Sequence, residues 1–248
     1  SSFSTRHLRS YFQFIYPVID AFDDASQLLE LQHVRNLSAK QEDFLQKTLT
    51  QPMMILPAAS RGHAMGFVRF GSLWAKIDRG ENSKREGSVN IYRITREKAL
   101  DSDFLHAFLY KRQPRSFFHG TIDQILGLVP VAKLPIAAQT VGNCSWANIQ
   151  AIIPAAYFMQ QLELSNTNTD TAMALFNLWI NWDKDRALEE SIQRFYHVSF
   201  ARKASIAAVL AGVLFQACDA SVQHDVERAE KILTIVAFPE YQYILQSN

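Results

Sequence analysis

His63-Ala-Met-Gly-Phe-Val-Arg-Phe-Gly-Ser-Leu-Trp-Ala-Lys-Ile-Asp78 reads as a β-hairpin. Two short apolar strips flank Gly71-Ser72, and a two-residue loop of that composition is a favoured hairpin turn. Taking it as the loop pairs Phe70 with Leu73 and sets His63 opposite Gly80. Alternation along each strand then sorts the hairpin into two rows. Ala64, Gly66, Val68, Phe70, Leu73, Ala75 and Ile77 form one, read as facing the core. His63, Met65, Phe67, Arg69, Trp74, Lys76 and Asp78 form the other, read as the polar side, with Asp78 the diagonal neighbour of His63.

Outward from the hairpin, apolar strips at Met53–Leu56 and Ser88–Ile94 complete four expected strands. Upstream, Val18, Phe22, Ala25 and Leu29 recur at helical spacing, and Ser38 stands before a second short helix. Downstream, Leu100–Leu109 and Thr121–Leu126 read as helical, a long helix starts near Cys144, and everything after Thr169 follows a helical period. Helices, a small antiparallel sheet and helices again predict an α+β fold. The expected division is a helical cap over 1–50, a core over 51–165 and a helical subdomain over 166–248 packed on that core. No internal repeat is visible.

Composition narrows the function classes. The 248 residues are 48% hydrophobic and 20% charged, a globular balance. Twenty-five basic residues against twenty-four acidic ones leave +1, which removes a general electrostatic case for nucleic acid. The longest apolar run, Ile206–Phe215, is about half of a membrane span. Two cysteines in unlike contexts suit a reducing compartment. The opening Ser-Ser suggests that the natural N-terminus lies upstream. No metal-ligand spacing or phosphate-cradling glycine motif is present, so no cofactor is expected.

The chemistry gathers in mid-chain. His63 and Asp78 on neighbouring strands suit a base and the carboxylate that orients it. Gln139-Thr-Val-Gly-Asn-Cys144-Ser-Trp leads into an apolar-periodic helix, which places Cys144 at a helix N-terminus, where thiolate is favoured. Gly142 permits a tight turn there, the Cys144 N–H is a natural oxyanion donor, and the Gln139 amide could supply a second. Each residue also has a structural reading: Cys144 as a small buried hydrophobe, His63 as an edge residue, and Asp78 as a turn cap with Glu81 or Asn82 orienting in its place. His197 is a rival base in a papain-like order. His106 and His224 read as structural. Residues 79–115 carry a local excess of four positive charges, which reads either as a solvated loop and helix face or as a patch for an acidic protein surface.

The order His63, Asp78, Gln139, Cys144 resembles the adenain and ubiquitin-like-protease superfamily of cysteine peptidases. The wording Gly62-His63-Ala64 and Gln139-x-x-Gly-Asn-Cys-Ser-Trp146 is similar to cysteine-protease-like modules of effectors from intracellular bacteria. That resemblance implies a cysteine hydrolase with Cys144 as nucleophile, His63 as base, Asp78 as orienter and Gln139 at the oxyanion. It further implies secretion into a host cell, with a host protein as substrate, ubiquitin or a ubiquitin-like protein among the candidates. Alternatives are an acyltransferase using the same triad with acetyl-coenzyme A, and a non-catalytic interaction module on a degenerate protease fold.

Overall fold

The computed structural model describes residues 5–31, 34, 36–60, 63–78, 88–134, 136, 144–164 and 168–246; within these, the side chains of 5–14, 59, 60, 63, 144–150, 164 and 216 are not described. The chain forms two compact units, one up to Phe176 and one from Asn177 onward.

The first unit opens with α1 (Thr5–Leu31) and α2 (Ala39–Thr50). Ser38 starts α2 through a capping box: its hydroxyl accepts from the Gln41 N–H, and the Gln41 side chain accepts from the Ser38 N–H at 2.8 Å. Five strands follow in an antiparallel meander ordered β1 (Met53–Ser60), β2 (His63–Phe70), β3 (Leu73–Ile77), β4 (Val89–Ile94) and β5 (Leu128–Leu134). The β2–β3 register runs from Phe70–Leu73 to Gly66–Ile77, as the Gly71-Ser72 loop predicts. Between β4 and β5 lie α3 (Ser102–Leu109), a π-helical turn (Phe117–Thr121) and α4 (Ile122–Leu126). The long α5 (Cys144–Leu164) follows β5.

Two features differ from the sequence reading. The helix expected over Thr121–Leu126 is present as α4, but a fifth strand, β5, follows it in a stretch where no strand was expected. Its Pro130 pairs with Tyr92 beside a register shift, on an edge strand where a missing N–H is tolerated. The row read as the polar side of the hairpin is also covered. Phe67 and Trp74 are fully buried, and Lys76 and Asp78 nearly so. Phe104, Phe108, Phe117 and Phe118 supply the apolar layer over that row. Phe108 meets Phe67 edge-on at 5.3 Å and Phe118 at 5.4 Å. The sheet is therefore sandwiched, with α5 on the Gly66 row and the 102–126 segment on the Phe67 row.

The second unit holds the rest of α6 (Thr169–His197), with α7 (Phe200–Ala217), α8 (Gln223–Val236) and α9 (Gln242–Gln246). Leu210, Ala211, Ile232, Ile235, Val236 and Tyr241 belong to its apolar core. A buried guanidinium ties α8 to α6. Arg228 donates to Asp185, Asp225 and the Asn181 side-chain oxygen, each at 2.8 Å. Three partners for one buried cation offset the cost of desolvating it.

Gly127 ends α4 with φ +58°, and a Cβ there would collide with Thr95 Oγ1, whose hydroxyl donates to the Gly127 carbonyl at 2.6 Å. Gly71 has a similar φ of +56°, but a Cβ would meet only Glu163 Cδ at 3.6 Å. Gly71→Ala should cost about 1 kcal/mol of backbone strain and Gly127→Ala about 2–3 kcal/mol. Urea unfolding of the two variants should separate them, and equal costs would contradict the collision at Thr95.

Candidate functional site

The seat of α5 along β2 decides where the sequence-predicted residues come to lie. Ile152 lies 3.7 Å from a Cβ built on Gly66, and Glu163 lies 3.6 Å from one built on Gly71. The Glu163 carboxylate accepts from the Ser72 hydroxyl at 2.6 Å and from Arg93 Nη1 at 3.2 Å. The stretch from Ile152 to Glu163 rises about 16 Å as helix, and the stretch from Gly66 to Gly71 about 16 Å as strand. The helix therefore runs beside β2 in the same direction without drifting. Extended backward, the rise from Ile152 to Cys144 is about 12 Å, and from Gly66 to His63 about 10 Å. Cys144, the first residue of α5, is thus level with the start of β2.

His63 is the first residue of β2, paired with Ser60 across the β1 hairpin. By backbone register it falls in the row of Met65 and Phe67, whereas α5 covers the alternate row at Gly66. Asp78 follows β3 at the same end of the sheet, 6% exposed, and its N–H donates to the Ser88 carbonyl at 2.9 Å. Gln139 and Gly142 lie outside the described residues, as do the fallback orienters Glu81 and Asn82.

The four other histidines whose side chains are described occupy other places. His106 Nε2 stands 3.0 Å from Glu42 Oε1, joining α3 to α2, with its ring edge-on to Tyr110. His119 Nε2 accepts from Arg115 Nε at 3.4 Å. His197 ends α6 in the second unit, and His224 lies at the start of α8; both are exposed. Part of the basic stretch serves the fold: Arg93 donates to Ser72 and Glu163, and Arg96 to the Gln124 carbonyl.

Sequence reasoning missed a buried polar strip beside Asp78. Lys76, two residues earlier in the same row, places its ammonium 3.1 Å from Asp123 Oδ1, 3.4 Å from the His119 carbonyl and 5.5 Å over the Tyr92 ring. Asn90 pairs with Lys76 across β3–β4, and Ser88, whose backbone carbonyl holds the Asp78 N–H, hydrogen-bonds through its hydroxyl to the Ile136 carbonyl. Lys76, Asp78, Ser88 and Asn90 are each under 10% exposed. A lysine between Trp74 and Asp78 was the available signal, since a cation inside a buried row requires a counter-charge. Among the described residues no group of three or more His, Cys, Asp or Glu could hold a metal ion. No described helix is long and apolar enough to cross a membrane.

No protein-family model and no curated protein matches the chain. Among solved structures it is similar to the Legionella effector AnkH, with 56% sequence identity over 99% of this chain and a TM-score of 0.72. The match covers 53% of that protein, so this chain spans about half of its length. At that identity the similarity reaches through both compact units, and what this chain resembles is a bacterial effector.

Proposed function

We propose that this chain is the cysteine-hydrolase module of an effector that a bacterium delivers into a host cell, where it cleaves a peptide or isopeptide bond in a host protein. The observation that carries the reading is the seat of α5 along β2 at Ile152 and Glu163, and extrapolation from it at helix and strand rise supports a common level for three residues at one end of the sheet. Cys144 opens α5 beside the start of β2, where His63 stands, and Asp78 closes β3 at that same end. The similarity to a bacterial effector supports the setting.

In this mechanism the unpaired N–H groups at the start of α5 favour the Cys144 thiolate, and His63 takes the thiol proton. Sulfur attacks the substrate carbonyl carbon, and the resulting oxyanion is held by the Cys144 N–H and the Gln139 amide. Collapse breaks the C–N bond, and the leaving amine takes the proton from His63. Water then attacks the acyl-enzyme with His63 as base, releasing the acid and the thiol. Asp78 orients His63 throughout. An amine or hydroxyl acceptor in place of water, with acetyl-coenzyme A as donor, would make the same residues an acyltransferase.

One observation favours a second reading, a non-catalytic interaction module. His63 belongs to the row facing away from α5, so the nucleophile and base meet only around the end of the sheet. If they do not meet there, the protease fold serves as a binding scaffold.

Thiol reactivity tests activation. Burial, and then the nearby Asp225 carboxylate, push the Cys218 thiol up, so at neutral pH its thiolate fraction falls. Cys144 should react with iodoacetamide at least about ten-fold faster than Cys218. His63→Ala should remove that advantage and His197→Ala should leave it. Equal rates in the folded protein would defeat activation.

Substrate class is tested with ubiquitin and ubiquitin-like proteins bearing a cysteine-reactive C-terminus. A covalent adduct should form with the chain and not with Cys144→Ala. Acetylation of Cys144 by acetyl-coenzyme A would assign the transferase instead, and neither adduct nor acetylation would support the binding scaffold.

A further inference from the structure

Among the described residues three cations are buried, and two of them have a counter-charge. Lys76 stands 3.1 Å from the Asp123 carboxylate, and Arg228 stands 2.8 Å from both Asp185 and Asp225. Arg69, the third, is 9% exposed, and among the described residues its guanidinium makes one hydrogen bond, from Nη2 to the Leu49 carbonyl at 3.0 Å. Its enclosed Nε has no partner there. Burial lowers the Arg69 pKa from its ordinary value, an effect that the Glu97 charge opposes without cancelling, yet a guanidinium keeps its proton at neutral pH. A charge held in the interior against one neutral acceptor is costly.

A second donor in the same condition stands beside it. Trp74 is the cross-strand partner of Arg69 in the β2–β3 register, and both belong to the Phe67 row. Trp74 is fully buried, and among the described residues its indole Nε1 also has no partner. Both groups donate, and neither can accept. Met54 pairs with Arg69 from β1, and Phe67 and Phe104 pack on the Trp74 ring with centroids 5.7 and 6.1 Å away. A water between the two donors would need acceptors for its own hydrogens, and these apolar side chains offer none. An anion needs only donors.

We propose that Arg69 and Trp74 hold a small monoanion of the halide class, which accepts from Arg69 Nε and Trp74 Nε1 together. One negative charge matches the one positive charge. The donors come from directly opposed residues, whose Cα atoms lie about 4.5–5.5 Å apart in an antiparallel pair, so the space between their side chains suits a single atom. Apolar walls favour an ion that sheds its hydration at low cost, chloride or bromide before fluoride. The site lies next to the Gly71-Ser72 turn, at the end of the sheet opposite His63 and Asp78. It therefore does not rest on the hydrolase reading.

Sodium bromide, exchanged for sodium gluconate at constant ionic strength, should raise the melting temperature of the chain by about 2–4 °C and saturate, with Kd on the order of 1–10 mM. Fluoride should give less. A crystal soaked in sodium bromide should show an anomalous peak within about 3.5 Å of both nitrogens. Trp74→Phe keeps a ring in the core and removes one donor, so it should weaken bromide affinity at least about ten-fold. Arg69→Met should abolish the response, and if that variant does not fold, Trp74→Phe alone decides. The proposal is overturned if bromide has no saturable effect, or if the effect is equal in Trp74→Phe. A crystal in which a water or the Glu97 carboxylate takes both nitrogens overturns it as well.

Discussion

The seat of α5 on β2 is the constraint on which the candidate site depends. It is held at two points, by Ile152 over the Gly66 backbone and by the Glu163 carboxylate between Ser72 and Arg93. The first supplies apolar contact without fixing a register. The second is directional, since one carboxylate accepts from the hairpin turn and from β4 together, and so it limits sliding of the helix along the strand. Because helix and strand advance equally between these points, the C-terminal anchor sets the position of the N-terminus as well. Cys144 is placed by residues far from it.

This also explains what could be read from the sequence. The hairpin was legible because Gly71-Ser72 and the alternating strips act locally, and the start of α5 because Cys144 precedes a clear apolar period. Strand β5 was not legible, because Pro130 and Lys133 break a strand pattern that only an edge position tolerates. The buried second face was hidden because its cover comes from Phe104 to Phe118, beyond β4. The Lys76–Asp123 pair and the Arg228 bonds to Asp185 and Asn181 were equally hidden, since these partners lie more than 40 residues away. For the site, residue types and order could be read. Their common level could not, because it rests on Ser72 and Glu163, 91 residues apart.

The two compact units place different demands on their polar groups. In the first, charge enters the sheet interior at Lys76 and Asp78, beside the end where the candidate nucleophile lies, and each buried polar group needs a specific partner. In the second, Arg228 concentrates the buried charge at one point between α6 and α8, and α7 is left without any. Both units thus show polar groups specifying geometry where apolar burial alone would permit several arrangements.

The proposed chemistry requires that His63 and Cys144 meet around the end of the sheet. A crystal structure of the chain would measure it directly, through the distance from Cys144 Sγ to the nearer His63 ring nitrogen. The expected distance is about 3–4 Å, the reach of a thiol–imidazole pair, with Asp78 on the other ring nitrogen. A separation above about 8 Å, with the imidazole packed on the Phe67 row and the sheet between it and α5, would contradict it.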